Sequence, residues 1–252
     1  MTDLIQTSIE NKVLTITFNR IEKKNALTHA MYTAMADAME DARSNDEVRA
    51  VLFTGAEDVF TAGNDLIDFQ QSGGLDGARP VVRFLSELVE IDKPLVAAVN
   101  GLAVGIGLTM LLHCDLVYMA DHATLSAPFV DLALVPENAS SLLLPNAVGH
   151  VRAAEIFMLG KKVNAEEAYA MGLVNQVTSL DDVLSVARKS AETLARKAPI
   201  SLQTTKSLMR GDKQTLKDRI ELEGGHFSTQ LKSAEVMEAI AAFFEKRPPN
   251  FG

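Results

Sequence analysis

The sequence has little cysteine, no tryptophan and no long apolar run. The single cysteine, Cys114, excludes an internal disulfide framework and a cysteine-rich zinc site. The longest apolar stretches, residues 94–99 and 102–112, are too short and too rich in glycine to span a membrane. The N-terminus lacks the pattern of a secretory signal. Because no targeting signal is recognised, we expect a cytoplasmic protein. The net charge of −9 argues against nucleic acid or an acidic membrane as a partner.

Short apolar runs alternate with helical patterns through the first half of the chain. This alternation is typical of a parallel or mixed sheet with helices packed against it. The predicted strands cover residues 13–18, 49–54, 95–99 and 116–119, and the predicted helices follow an N-cap at Thr28 and cover residues 78–90 and 105–113. The Gly/Ser-rich residues 71–74 predict a mobile loop.

The second half is mostly helical in character. Asn164 followed by Glu167 has the spacing of a capping box, which predicts a helix start. Helical periodicity recurs near residues 180–196, 199–210, 214–231 and 233–245. We therefore divide the chain into an α/β core, residues 1–196, and a C-terminal helical region, residues 197–252.

Glycines cluster in residues 101–107 without forming a nucleotide-binding motif. The dinucleotide fingerprint G-x-G-x-x-G would need glycine where this chain has Met110. The glycines are instead explained by a sharp turn from a strand into a helix. A helix that begins near residues 105–106 leaves backbone N–H groups free at its start. A second turn of this kind lies at residues 61–66, and two such turns could form an oxyanion hole.

Two other clusters do not predict a catalytic or metal site. His113, Cys114 and Asp115 resemble a nucleophile cluster, but adjacent side chains diverge and cannot meet as a triad. The five histidines are scattered and form no H-E-x-x-H motif, so we predict no metal.

Glu137 directly follows the apolar residues 132–136 and has two interpretations. It is an acid in the first turn of a helix, where the helix dipole favours negative charge. Alternatively, it is a carboxylate held against apolar surroundings, where burial raises its pKa and makes it a general base.

Several short motifs keep a characteristic order along the chain. They are residues 24–27 (KNAL), 60–66 (FTAGNDL), 93–101 (KPLVAAVNG), 103–107 (AVGIG), 114–115 (CD), 160–162 (GKK), 165–168 (AEEA), 172–174 (GLV) and 244–248 (FEKRP). None is decisive alone. Together they resemble the enoyl-CoA hydratase/isomerase superfamily, which has the crotonase fold, over essentially the whole chain.

This resemblance implies an architecture and a ligand. The expected fold is an α/β spiral of ββα units with a helical C-terminal trimerisation region, assembled as a homotrimer or a dimer of trimers. The expected substrate is an acyl-CoA that reacts through an enolate-like intermediate. No separate cofactor is implied, because coenzyme A is part of the substrate.

The resemblance also assigns site residues. The thioester oxygen would accept hydrogen bonds from the backbone N–H groups of Asn64 and Ile106, and Lys246, in the last helix, would reach a CoA phosphate. The residues expected to bind substrate or CoA are Lys24, Ala26, Ala62, Gly63, Asp65, Leu66, Ile67, Phe129 and Lys246.

The departures from the family pattern indicate the chemistry. Hydratases of this family use two glutamates, and those positions here hold Thr109 and Phe129. The acid at Glu137, with its flanking residues 127–132 and 136–141, resembles the Δ3,Δ2-enoyl-CoA isomerases of the peroxisomal type. In those enzymes this glutamate is the only acid–base group, so the resemblance implies a one-base proton shift.

Two alternatives stay open from the sequence. The scaffold could host another acyl-CoA reaction, such as thioester hydrolysis or weak hydration, with Glu137 activating water. It could also be a non-catalytic acyl-CoA-binding protein, because a fold can persist after its chemistry is lost.

Overall fold

The computed structural model of the protein describes residues 3–71 and 79–252, and most of the loop predicted at residues 71–74 lies outside these ranges. The strands, in chain order, are β1 (Ile5–Glu10), β2 (Val13–Phe18), β3 (Ala50–Gly55), β4 (Val59–Thr61), β5 (Leu95–Val99), β6 (Leu102–Val104), β7 (Leu116–Ala120), β8 (Thr124–Ser126), β9 (Val163–Asn164) and β10 (Gln176–Thr178).

Helices separate most of these strands. They are α1 (His29–Ser44), α2 (Leu66–Gln71), α3 (Arg79–Glu90), α4 (Ile106–Thr109), α5 (Ser140–Val148), α6 (His150–Met158), α7 (Ala165–Ala170), α8 (Leu180–Ala195), α9 (Pro199–Arg210), α10 (Lys213–Gln230) and α11 (Ala234–Glu245), with short 3₁₀ helices at Ile21–Lys23, Met110–His113 and Val130–Leu132. None of the helices in the described ranges combines the length and apolar character that a membrane span requires.

The larger sheet has the strand order β1-β2-β3-β5-β7-β10. β1 and β2 are antiparallel, and the remaining pairs are parallel, so the predicted mixed sheet is confirmed. β3 and β5 are buried along their whole length, as expected for parallel strands covered on both faces. Helix α8 covers this sheet with a buried face of Val183, Ala187 and Ala191.

Local signals explain where the first helix begins and how it packs. Thr28 Oγ1 accepts a hydrogen bond from the Met31 N–H at 3.3 Å, so the predicted N-cap is confirmed. Met31, Met35 and Met39 recur every four residues and are fully buried. The capping box between Asn164 and Glu167 at the start of α7 is also confirmed.

A smaller sheet, with the order β4-β6-β8-β9, carries the turns of interest. β4 and β6 are parallel neighbours, with Thr61 opposite Ala103. Because parallel strands end at the same edge of a sheet, the turns that follow β4 and β6 lie side by side.

The second half of the chain follows the prediction at the start of α7 and in its last four helices, and differs at α5 and α6. Helices α8 to α11 begin and end within one residue of the predicted segments. Helices α5 and α6 were not predicted. Ala139 precedes α5 without a side-chain cap, and Pro145 lies inside that helix, so the sequence carries no ordinary start signal there. The domain boundary at residues 196–197 stays a prediction.

Candidate active site

Two unpaired backbone N–H groups meet where β4 and β6 end. Asn64 lies in the turn after β4, and Ile106 is the first residue of α4, after Gly105 with φ +57°. Within residues 3–71 and 79–252, neither the Asn64 N–H nor the Ile106 N–H donates to a protein acceptor. Free backbone donors on neighbouring turns are the kind of group that an oxyanion hole uses.

Glycine allows these two turns to approach. Gly63 has φ +88°, and a Cβ atom there would lie 2.9 Å from the carbonyl oxygen of Val104. A Cβ atom on Gly107 would lie 2.7 Å from the Thr61 methyl group. Larger residues would therefore push the turns apart and move the Asn64 and Ile106 amides.

The carboxylate of Glu137 lies beside the end of α4. Its Oε1 atom accepts a hydrogen bond from Thr109 Oγ1 at 2.5 Å. Thr109 is the last residue of the short helix that Ile106 begins, so the Glu137 carboxylate and the Ile106 N–H both lie at α4. Glu137 itself precedes α5, which begins at Ser140, so the interpretation as a first-turn acid is wrong.

Glu137 is an unusually basic carboxylate, although the residue keeps some exposure to solvent. Its pKa is raised to about 8, chiefly because burial penalises the charged form. The hydrogen bond from Thr109 opposes this increase, and the nearby charge of Glu223 adds to it. A carboxylate with a pKa near 8 can accept a proton from carbon far better than an ordinary surface glutamate.

Tyr32 is a site residue that the sequence analysis missed. It is almost fully buried on α1, and its hydroxyl donates to Asn64 Oδ1 at 2.5 Å. Burial, and secondarily the charge of Glu137, raise the pKa of Tyr32 well above its ordinary value. The phenol therefore stays neutral and links α1 to the turn that carries the Asn64 amide. In the sequence Tyr32 resembled one more apolar residue on the buried face of its helix.

The two segments expected to bind CoA are adjacent. The Ala62 N–H donates to the Lys24 carbonyl at 2.9 Å. Arg20 joins both segments, because its guanidinium donates to the Ala26 carbonyl at 2.8 Å and pairs with Asp65 at 2.7 Å. This pairing, together with backbone hydrogen bonds at Asp65, lowers the pKa of the Asp65 carboxyl, against the effect of burial.

The remaining predicted residues are more dispersed. Leu66 and Ile67 open α2, and Ile67 is exposed. Phe129 is buried and packs against Phe157, with ring centroids 6.1 Å apart. Lys246 is exposed and lies just beyond α11, so its predicted place within the last helix is wrong. Helix α11 ends there because Lys246 adopts φ +54°.

His113, Cys114 and Asp115 diverge as predicted. His113 Nε2 lies 2.9 Å from the Asn138 carbonyl, whereas Asp115 pairs with Lys206 at 2.8 Å. Burial lowers the pKa of His113 to about 4 and raises the pKa of Cys114 to about 12, so both are neutral near pH 7. In the described ranges, no three His, Cys, Asp or Glu side chains are grouped so that they could hold a metal ion.

Comparison with known proteins identifies the family. The profile described as enoyl-CoA hydratase/isomerase matches residues 8–252. The chain belongs to this family. A member of the enoyl-CoA hydratase/isomerase family from Pseudoalteromonas atlantica T6c is 46% identical, with a TM-score of 0.95 over 99% of this chain and 100% of that one. The expected crotonase fold is thereby confirmed.

Relatives within the family carry isomerase names. Enoyl-CoA delta isomerase 2 of Rattus norvegicus is 38% identical over 246 residues, which are 95% of this chain. The chain spans 63% of the length of that relative. The 1,2-epoxyphenylacetyl-CoA isomerase of Escherichia coli K12 is 32% identical over 100% of this chain and 99% of its own.

Proposed function

We propose that the protein is a Δ3,Δ2-enoyl-CoA isomerase that converts 3-enoyl-CoA to trans-2-enoyl-CoA. The observation that carries this proposal is the carboxylate of Glu137, with a pKa raised to about 8, hydrogen-bonded to the last residue of the short helix that begins with the unpaired Ile106 amide. The identity to proteins named enoyl-CoA delta isomerase supports it.

The proposed reaction moves one proton within the substrate. The Glu137 carboxylate takes a proton from C2, and the electron pair of that bond moves into the thioester to form an enolate. The enolate oxygen accepts hydrogen bonds from the Asn64 and Ile106 amides, each of which stabilises the transition state by roughly 3 kcal/mol. Glu137 then returns the proton to C4, while the thioester carbonyl and a new C2–C3 double bond form. No water is consumed, and the scheme requires no metal or redox cofactor.

The residues at the two positions where hydratases of this family have glutamates favour isomerisation over hydration. Addition of water requires one group to activate the water and another to protonate carbon. Thr109 has a hydroxyl group, which donates a hydrogen bond to Glu137, and Phe129 has an aromatic ring, which packs against Phe157. Neither residue supplies a second carboxyl group. Hydratases are also found among the relatives, which makes hydration the natural competing activity to measure.

Assembly and location stay predictions. A homotrimer or a dimer of trimers is expected, and the C-terminal helices expose large apolar side chains that a subunit interface would cover. Ile200, Leu208 and Met209 are each at least 80% exposed. We also expect the protein to act in the cytoplasm.

The decisive experiment compares wild-type protein with Glu137→Gln on a 3-enoyl-CoA. The variant keeps the size of the side chain but cannot accept the proton, so turnover should fall by roughly 10²- to 10⁴-fold. Formation of the conjugated 2-enoyl thioester is followed by ultraviolet absorbance. In the wild type, kcat/KM should rise with pH up to about 8, because the reaction needs ionised Glu137.

Glu166→Gln is the matched control, because Glu166 is exposed on α7 and its variant should retain wild-type turnover. Mass spectrometry of the products separates the alternatives. Gain of one water by a 2-enoyl-CoA, without conversion of a 3-enoyl-CoA, would indicate a hydratase, and release of free CoA would indicate a hydrolase. Tight acyl-CoA binding without any product would indicate a binding protein. Normal isomerisation by a folded Glu137→Gln variant would exclude Glu137 as the base.

A further inference from the structure

The backbone between Glu137 and helix α5 is held in an unfavourable conformation. Asn138 has φ +62° and Ala139 has φ +57°, so two successive residues other than glycine lie in the left-handed region. Such residues persist only when their surroundings hold them in place. Ala139 is the N-cap of α5 and has no side-chain oxygen, so the helix start has no cap of its own.

A residue distant in sequence supplies the missing cap. Glu223, on α10, is 5% exposed, and its Oε1 atom accepts a hydrogen bond from the Ser141 N–H at 2.9 Å. A carboxylate at this point pairs one of the free N–H groups and is favoured by the helix dipole. The His113 ring holds the other side of the segment through the Asn138 carbonyl.

The Glu223 carboxylate is only partly neutralised. Its Oε2 atom is buried and has no hydrogen-bond partner among the described residues. Burial raises the pKa of Glu223, whereas hydrogen bonds from Ser141 and Ala139 and the charge of Arg219 oppose this increase. Ionised Glu223 therefore depends on the start of α5 and on Arg219 for its stabilisation.

Few other charges reach Glu137. Tyr32 faces it from α1 as a neutral phenol, and Thr109 donates a hydrogen bond from α4. His113 is neutral, and the charges of Arg210 and Lys206 help to keep it so. Glu223 is the charge that raises the pKa of Glu137 in addition to burial.

We propose that Glu223 is a positioning residue, which fixes the segment that carries Glu137 and holds a second carboxylate against the start of α5. The proposal rests on the role of Glu137 as the base. It makes the helical C-terminal region part of the proton-transfer machinery, because α10 both holds the segment and tunes the group that moves the proton.

The test is the variant Glu223→Gln, which keeps an oxygen to accept the Ser141 hydrogen bond and removes the charge. The acid limb of the kcat/KM profile should move to lower pH by roughly half a unit or more, because a like charge is removed. The plateau value of kcat should change less than twofold. Glu221→Gln, on an exposed position of the same helix, is the matched control and should leave the acid limb of the kcat/KM profile at its wild-type pH.

A second variant separates the charge from the cap. Glu223→Ala removes both, so the acid limb should move as in Glu223→Gln, and plateau kcat should fall by roughly tenfold because the Glu137 segment loses its anchor. Equal plateau kcat values in the two variants would contradict the positioning role. If Glu223→Ala does not fold, the Gln variant still tests the charge.

A readout without turnover distinguishes failure of this proposal from failure of the proposed reaction. The protonated carboxyl stretch of Glu137 can be assigned by infrared difference against Glu137→Gln and titrated with pH. Glu223→Gln should shift this titration to lower pH whether or not 3-enoyl-CoA is the substrate. An unchanged titration, in an enzyme that still isomerises, would overturn the role of Glu223 and leave that of Glu137 intact.

Discussion

Residues 61–65 and residues 137–141 both contribute to the site, and they differ in how their polar groups are paired. In the first segment, Thr61 Oγ1 donates to the Asn25 carbonyl at 2.7 Å and accepts from the Gly63 N–H at 3.0 Å. Asn64 Oδ1 accepts from Tyr32, and Asp65 pairs with Arg20. The Asn64 N–H remains unpaired, within a network that fixes its direction.

The second segment, residues 137–141, is underpaired, which means that several buried polar atoms in it or against it lack a hydrogen-bond partner. Among the described residues, seven buried side-chain N or O atoms have no partner, and five of them lie in or against this segment. They belong to His113, Asn138, Ser140 and Glu223. Burial, and secondarily the charge of Glu223, disfavour the ionised form of Glu137, which makes it a better base. Residues 61–65 thus hold the Asn64 N–H in a fixed direction, and residues 137–141 set the proton affinity of Glu137.

After the loss of Glu137 itself, the largest expected effect comes from distorting the well-paired segment with Gly63→Ala. The new methyl group would meet the Val104 carbonyl, and φ +88° is unfavourable for alanine, so the Asn64 amide must move. We expect kcat to fall by roughly 100-fold, the effect of losing one oxyanion donor. Steady-state kinetics on a 3-enoyl-CoA measures it.

Gly172→Ala is the control for Gly63→Ala. Gly172 has φ +77° but no atom within 4 Å of an added Cβ, so its variant carries similar backbone strain without a collision. It should lose about 1 kcal/mol of stability and keep wild-type kcat. Equal kinetic effects of the two variants would mean that strain, and not displacement of the amide, is responsible.

A smaller effect is expected in the underpaired segment from Thr109→Val. Thr109 stabilises ionised Glu137, so its removal should raise the pKa of Glu137 above about 8 and move the acid limb of kcat/KM to higher pH. Activity at pH 7 should fall by roughly three- to tenfold and recover at higher pH. The pH profile from pH 6 to 10 measures the shift.

Thr15→Val tests whether loss of a buried hydroxyl alone has this effect. Thr15 Oγ1 is buried without a partner in the part of the chain that the structure describes. Its variant should keep the wild-type pH profile. A limb that moves to lower pH in Thr109→Val would show that Thr109 binds the protonated acid instead.

The contrast between the two segments also explains what the sequence could predict. Thr28 and Asn164 cap the helices that directly follow them, so a few residues of local sequence suffice. The fully apolar β5 needs no partner to be identified as a buried strand. The turns of Asn64 and Ile106 follow strands, and their glycines mark the close approach.

The contacts that tune Glu137 could not be predicted, because they join residues distant in sequence. Glu223 lies 82 positions after Ser141, and no local pattern marks it as a cap. Tyr32 lies 32 positions before Asn64 on an otherwise apolar helix face. The start of α5 was missed for the same reason, since its cap comes from another helix. The expected binding role of Lys246 stays a prediction.

The smallest expected effect is that of Tyr32→Phe, which tests whether the well-paired segment owes its rigidity to a side chain. The variant removes the hydrogen bond to Asn64 Oδ1 and leaves the ring packed against Phe84. We expect kcat to fall by roughly three- to fivefold with little change in KM, and stability to fall by about 1 kcal/mol. Kinetics and denaturant unfolding measure the two effects separately.

Tyr118→Phe is the matched control, because Tyr118 also donates to a side chain, Ser190 Oγ at 2.7 Å, but on β7, beneath α8. It should cost similar stability and leave kcat unchanged. If Tyr32 acts through Asn64, then Asn64→Ala should reproduce the kinetic effect, and the double variant should be no worse than either single variant. Additive effects would mean that the Tyr32 hydroxyl acts on the substrate or on Glu137 directly, and that the backbone of residues 61–65 is rigid without it.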